Sequence, residues 1–421
     1  MHASAIRNLK SAFRNMNVLV FTSLFPNHEQ PDFGVFVKHR VAALARLPDV
    51  DLRVVAPVPY FPKQLILPIA PTHWQRAARI KACELIDGLT VYHPRYLVTP
   101  KVGMSFYGRW MAGGAEALVR RLHAEQPFDL IDAHYVYPDG LAAVRLGQKL
   151  HLPVVITARG SDINLFSQMP LIRPLLRQAL KSAAGVITVS EALKQRVVEL
   201  GIDAEKIAVI RNGIDRTVFY PRDRSAARQK LGLDANAQLI VTVASLTANK
   251  GIDRLIDALA LVARRHPDTD ARLYVIGEGP ARATLKARIA EHGLTGRVSL
   301  VGSRPQAELP EWYSAADLFC LASHREGCPN VVIEALACGT PVIASEVGGI
   351  GELITSPAYG RLVPAHQPPA EGFASCISEA LKAHWDRGEI AAHGGARSWA
   401  DVAAEIMRCY AQLDPLDEET K

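Results

Sequence analysis

Leu318-Phe-Cys-Leu-Ala-Ser323-His-Arg-Glu326-Gly-Cys-Pro-Asn330-Val-Val-Ile-Glu334-Ala-Leu-Ala-Cys-Gly339-Thr-Pro-Val342-Ile-Ala344 runs from an apolar strand through a polar loop into a helix, and on to a second strand. Pro329 suits the first turn of that helix and Gly339 its stop. The N–H groups of Cys328, Asn330 and Val331 then lack partners inside the helix, so a diphosphate oxygen or a sugar hydroxyl could accept from them. Glu326 sits in the loop and Glu334 about one turn into the helix, which places two carboxylates at different depths beside one ligand. A lone Glu334 would equally suit a solvated residue interacting with the helix dipole.

The same alternation of short Val- and Ile-rich runs with helix-length segments fills the rest of the chain, the pattern of a parallel sheet built from βα units. It predicts strands at 17–22, 52–56, 89–92, 130–133, 154–157, 185–189 and 207–210, then at 239–244, 272–276, 298–301, 318–321, 342–344 and 360–363. The fold class is α/β with the sheet pattern used twice. The segment 211–234, with Asn-Gly, Tyr-Pro and alternating charges, reads as a linker, and the boundary is set near Tyr220. The expected organisation is a disordered extension at 1–15, a first domain at 16–220, a second domain at 221–395, and a C-terminal helix at 396–413 packing back on the first domain. Two doubly wound sheets bind ligands at the carboxyl ends of their strands, so the site is expected in a cleft between the domains; alternatively one sheet is scaffold.

Other loops fall at those carboxyl ends. Val241-Thr-Val-Ala-Ser245-Leu-Thr-Ala-Asn-Lys250-Gly251 leads from a strand to a helix start, and Lys250 there could neutralise a leaving diphosphate, although a surface lysine is common. Ser23 to Gly34 closes on a glycine that permits close backbone approach, as an ordinary βα turn also does. Asp132-Ala-His134-Tyr-Val-Tyr-Pro-Asp139 and Thr157-Ala-Arg159-Gly160-Ser-Asp162 follow successive strands; Arg159 paired to Asp162 for structure is an alternative to a substrate role. The Ser23 to Gly34 loop is not a G-x-G-x-x-G dinucleotide fingerprint, which removes the main signal of a nicotinamide enzyme. Asp49-Val-Asp51 and Asp268-Thr-Asp270 fit a D-x-D metal pattern but precede strands at their amino ends, so no metal is expected.

Glu326 and Glu334 together resemble the E-x7-E motif of retaining GT-B glycosyltransferases of family 4. The likeness continues through Gly339-Thr-Pro-Val-Ile-Ala-Ser345 and Gly348-Gly349, and extends from Asn17 to about Leu413. The first-domain loops look like the variant found in surface-polysaccharide and teichuronic-acid-type enzymes. The resemblance implies two facing Rossmann-like domains with an inter-domain cleft, the first acceptor-binding and the second donor-binding. It also implies a UDP- or GDP-sugar donor as co-substrate without a further cofactor, and a glycan or lipid-linked acceptor in polysaccharide biosynthesis. On the donor side it implies Ser245, Lys250, Glu326, Gly327, Asn330, Val331 and Glu334, with Glu326 on the sugar, Glu334 on the ribose and Lys250 on the diphosphate. On the acceptor side it implies Gly34, His134 and Asp162, and the catalytic candidates are Glu326, Lys250, Arg159 and His134. Asn212-Gly213-Ile214-Asp215 matches the family where the chain leaves the first sheet, and also reads as a plain turn. Two departures stand out: Ser245 replaces the family's usual Arg, and Arg159 a His that contacts the donor sugar, so Arg159 is a candidate for the missing charge.

Composition bounds the rest. The 421 residues suffice for two large domains, 49% are hydrophobic and 21% charged, and no run of about 18 uncharged apolar residues appears. Six cysteines without a C-x-x-C pair, and no apolar signal-peptide core before Asn15, fit a reducing cytosol. Residues 1–220 hold 27 Lys and Arg against 17 Asp and Glu, and the remainder 21 against 25, so the first half is +10 and the second −4. Basic residues mixed with aromatics between Lys63 and Arg121 (Trp74, Arg76, Arg79, Lys81, Lys101, Arg109, Trp110) suit either an anionic membrane surface or a solvated face. No nucleic-acid motif accompanies them. The chain is therefore expected in the cytoplasm, peripheral on the membrane's inner face if that surface is used. The rival functions are a nucleotide-sugar epimerase of the same fold and a non-catalytic nucleotide-sugar-binding protein.

Overall fold

The computed structural model describes residues 15–60, 72–99 and 103–413. Of the expected extension at 1–15 only Asn15 lies among them, and residues 414–421 lie outside them. The described chain forms two compact units, one running to Arg211 and taking the chain back from Trp399, the other Asn212–Ser398. The division falls before Tyr220 because Ile214 and Phe219 are buried with Trp312, Tyr313 and Phe319 in the second unit's core.

The first unit holds β1 (Met16–Phe21), β2 (Val50–Val55), β3 (Val58–Tyr60), β4 (Cys83–Ile86), β5 (Leu89–Tyr92), β6 (Arg95–Leu97), β7 (Leu130–His134), β8 (Val154–Ala158), β9 (Gly185–Thr188) and β10 (Ile207–Val209). The main sheet has the order β10-β9-β8-β7-β1-β2-β5-β4, with β3 and β6 forming a separate pair. Its pairings are parallel except at the edge, where β4 runs antiparallel to β5. That exception to the all-parallel expectation comes from Asp87-Gly88, both at positive φ, which turns the chain in two residues as a hairpin requires. β7 and β8 are buried throughout; β8 reads as a continuous run with no apolar–polar alternation, whereas β7 buries the polar Asp132 and His134 among Leu130, Ile131 and Ala133.

The C-terminal helix Trp399–Ala411 closes this unit. Its buried residues, Trp399, Val402, Ala403, Ile406, Met407 and Tyr410, share one helical face and join the core of Val37, Val41 and Leu44 from the helix Val35–Ala45. Trp399 stacks on His39 with ring centroids 5.9 Å apart. Each large side chain so buried contributes about 1.5–3 kcal/mol.

The second unit holds β11 (Gln238–Val243), β12 (Ala271–Ile276), β13 (Val298–Gly302), β14 (Leu318–Leu321), β15 (Val342–Ser345) and β16 (Gly360–Val363) in one parallel sheet ordered β13-β12-β11-β14-β15-β16. Helix Ile252–Arg265 and Phe373 cover one face, and helices Leu309–Ala315 and Asn330–Ala337 the other. In both sheets the strand order reverses at a neighbouring pair, β1 with β7 and β11 with β14. A crevice opens beyond the carboxyl ends of strands at such a reversal, and the loops singled out in sequence leave those strands, save the Arg159 loop, which leaves β8 next to β7.

Candidate functional site

In the second unit, β11 runs out into the loop ending at Gly251, and β14 into the loop of Glu326. Gly251 stands at φ +60°, and a Cβ there would lie 2.1 Å from the Ala322 carbonyl oxygen, so only glycine lets the two loops meet. His324 N–H donates to Asn249 O at 2.8 Å, and Asn249 Nδ2 to Arg325 O at 3.1 Å. The zipped loops bring Lys250 Nζ to 2.7 Å from Glu326 Oε1. Both side chains are largely covered, at 25% and 11% exposure, so a ligand displacing one from the other meets a charge already desolvated. Ser245 is exposed.

The loop continues into helix Asn330–Ala337, with Pro329 as its N-cap rather than in its first turn. Asn330 is half-buried and its Oδ1 accepts from Asn212 Nδ2 at 2.8 Å, which ties the Asn212-Gly-Ile-Asp215 turn to this helix start. Gly349 N–H donates to Gly327 O at 2.9 Å. Glu334 is buried, and the Tyr313 hydroxyl donates to its Oε2 at 2.8 Å. Burial pushes the Glu334 carboxyl up to about 7, against the opposing pull of hydrogen bonds from Tyr313 and Gln306.

In the first unit, Gly34 at φ +67° starts the helix after β1, and a Cβ there would lie 2.4 Å from Leu24 O. The Ser23 N–H donates to Asp139, whose buried carboxyl is pushed up to about 7 by desolvation. His134 ends β7 and is fully buried, with Nδ1 2.6 Å from an Arg159 guanidinium nitrogen and Nε2 3.3 Å from Asp132 Oδ2. Arg159 also lies over the Phe36 ring, 5.3 Å from its centroid. Asp162 is buried and accepts from the backbone N–H groups of Val136 (2.9 Å), Arg159 (3.0 Å), Gly160 (2.8 Å) and Ile163 (3.1 Å), which makes it the anchor of its own loop. Asp51 accepts from Gln126 Nε2 at 2.9 Å and Asp270 pairs with Arg272 at 2.7 Å, both at the amino ends of β2 and β12.

Of the basic patch, Arg79 pairs with Glu29 at 2.8 Å and Arg95 is bound to the carbonyls of Ala77, Ala78 and Ile80. Arg76, Lys81 and Arg109 are exposed. Lys63, Lys101 and the Trp74 side chain lie outside what is described.

Residues 223–391 match the family Glycosyl transferases group 1, and residues 73–218 match Glycosyltransferase Family 4. TuaC of Bacillus subtilis, assigned by name to teichuronic acid biosynthesis as a glycosyltransferase, is 31% identical over 343 residues, 80% of this chain and 83% of TuaC. The chain is a family 4 glycosyltransferase.

Its relatives include the D-inositol 3-phosphate glycosyltransferase of Thermobispora bispora, 31% identical over 68% of this chain and 71% of that one. Among solved structures, sucrose-phosphate synthase from Thermosynechococcus elongatus superposes with a TM-score of 0.75 at 22% identity, over 95% of this chain and 99% of that one. Anabaena HepE, solved in complex with UDP, gives 0.68 at 21% identity, over 94% and 100%. These likenesses establish the GT-B fold of the glycosyltransferase.

Two features of the glycosyltransferase escape sequence spacing. Arg254, in the first turn of helix Ile252–Arg265, reaches His324 Nδ1 at 2.8 Å and puts a second cation on the rim of the Lys250 loop. The turn Gly277-Glu278-Gly279 after β12 supports the Ser245 loop, with Leu246 N–H donating to Glu278 O at 2.9 Å. A Gly-x-Gly following a strand was a usable signal for the second; nothing local marked the first. The meeting of loops at Gly251 carries a prediction of its own. Gly251→Ala should lower stability by about 1–3 kcal/mol through positive φ and the clash with Ala322 O, read as a fall in the urea midpoint. An unchanged midpoint would mean the loops can part without cost.

Proposed function

We propose that this glycosyltransferase is retaining and metal-independent, and moves a sugar from a UDP- or GDP-sugar to a glycan or lipid-linked acceptor in polysaccharide biosynthesis. The observation that carries this reading is the Lys250–Glu326 contact at 2.7 Å at the mouth of β11 and β14, with Glu334 one turn down the following helix. Lys250 and the first-turn N–H groups of Asn330 and Val331 hold the leaving diphosphate. Glu326 orients the sugar and Glu334 accepts from the ribose hydroxyls. Ser245 and Gly327 line the same loops. In the first unit Gly34, His134 and Asp162 shape the acceptor side, and Arg159 is the substrate-facing cation. The acceptor hydroxyl attacks from the face the diphosphate leaves, and the departing phosphate oxygen takes its proton, so the protein positions groups and stabilises charge.

The test is a panel of nucleotide sugars, scored for released nucleotide with and without a lipid-linked acceptor, with the product anomer assigned by NMR. Turnover with retained configuration, unchanged by EDTA, is expected. Binding without turnover, inversion, or activity lost to chelator and restored by manganese would each overturn part of the reading.

Membrane attachment belongs to the same proposal. With the first half at +10, Arg76, Lys81 and Arg109 remain exposed on the first unit. Each such residue near an anionic surface contributes about 1 kcal/mol, reversibly by salt. Sedimentation with phosphatidylglycerol vesicles at low salt is expected, weakened when these three are replaced by glutamine. Protein left in the supernatant at low salt would make the patch a solvated face.

A further inference from the structure

His134 is the one imidazole at the carboxyl end of β7, and its surroundings leave it little freedom. A guanidinium carries no acceptor, so the 2.6 Å contact with Arg159 requires Nδ1 to be the unprotonated nitrogen. The proton then sits on Nε2, the atom 3.3 Å from Asp132 Oδ2. Burial, followed by the neighbouring Arg159 and Arg40 against the pull of Asp132, pushes the imidazole down to about 4. Asp132 is itself buried, and although desolvation raises its carboxyl, the Arg40 charge holds it well below the usual range. Arg40 lies 3.4 Å from Asp132 Oδ1 and donates to Thr157 Oγ1 at 2.8 Å. The Tyr410 hydroxyl, carried by the C-terminal helix, is buried in the same unit without a hydrogen-bond partner of its own among the described residues. A neutral histidine whose Nδ1 accepts from Arg159 and whose Nε2 faces Asp132 at 3.3 Å without a formed hydrogen bond neither gives nor takes a proton near pH 7; it can fix the direction of a guanidinium.

We propose that His134 is a positioning residue that aims Arg159 at the substrate, and that Asp132 and Arg40 are the frame that holds it. The proposal rests on the reading of Arg159 as the substrate-facing cation. Histidine labelled with 15N, with His134 assigned by its loss in His134→Gln, reports the state directly. A neutral ring protonated at Nε2 from pH 5.5 to 8 is expected. A proton on Nδ1, or an imidazolium, would overturn the proposal whether or not a donor is known.

Kinetics with the fastest donor of the panel supply the second arm. Asparagine places its carbonyl near the position of Nδ1 and can still accept from Arg159, whereas glutamine places its amide near Nε2. His134→Gln should therefore lower kcat roughly tenfold or more, and His134→Asn clearly less, with melting temperatures checked for both. In an Arg159→Ala background, His134→Gln should cost nothing further, because the two act as one unit. Equal losses in the two His134 variants, or a His134→Gln loss that multiplies on that of Arg159→Ala, would overturn positioning. An Arg159→Ala enzyme with unaltered kcat would instead sink the reading of Arg159 itself.

Discussion

Lys250→Ala is expected to lower turnover by roughly 10²–10³-fold, the usual consequence of removing one preorganised group from developing negative charge. The lysine is held 2.7 Å from Glu326 before any ligand arrives, so little reorganisation is needed when charge builds on the leaving diphosphate. The variant also leaves Glu326 without its cation in a site only 11% exposed, which opposes the approach of a diphosphate by like-charge repulsion. Donor KM should therefore rise as well. The double variant Lys250→Ala/Glu326→Gln separates the two effects: it should recover part of the KM and none of the kcat. Turnover within a fewfold of wild type in the single variant would remove Lys250 from the leaving-group role and pass it to Arg254 or to the helix start at Asn330.

Glu334→Ala should weaken nucleotide binding by about 1.5–3 kcal/mol with the fold intact, as the loss of charge-assisted hydrogen bonds predicts. Calorimetry with UDP and GDP reads this directly, and unchanged affinity for both would end the ribose role. A pH dependence accompanies it. Burial raises the Glu334 carboxyl to about 7 in the free protein, so its neutral form prevails below that pH, while two ribose hydroxyls donate best to the carboxylate. Affinity should therefore fall as pH drops below about 7, approaching a tenfold loss per unit. The nucleotide phosphates also titrate in this range, so the comparison is with Glu334→Gln, whose profile should lack the added slope. The same shift acts on stability with the opposite tendency. A raised carboxyl favours the folded state fully below its unfolded value of 4.5, and that contribution is lost as pH rises through about 7.

The doubled α/β pattern was legible because each strand buried on both faces must be an unbroken apolar run, and each helix must show its core face at 3.6-residue spacing. The two long sheets and the C-terminal helix at Trp399–Ala411 follow from such local regularities. The short strands Val58–Tyr60, Cys83–Ile86 and Arg95–Leu97 did not emerge, since three or four residues carry too little periodicity; the Asp87-Gly88 dipeptide was a usable hairpin signal that was missed. The loops of Glu326, Lys250 and Gly34 were readable by residue type and position after strands.

The sequence by itself therefore determined the kinds of elements, their order along the chain, and which loops carry charge at strand ends, because all three depend on neighbours within a few residues. Only the tertiary structure decided which loops meet. Lys250 and Glu326 are 76 positions apart and become partners because β14, not β13, lies beside β11. Tyr313 finds Glu334 from a different helix, and Tyr410 joins the core of Val18 and Leu130 from the far end of the chain. The boundary at Arg211/Asn212 was likewise settled by where Ile214 and Phe219 are buried rather than by the composition of the linker. Contacts of this kind depend on sheet order and on the close approach of backbones at glycines such as Gly251, and neither leaves a periodic trace in the residues that make them.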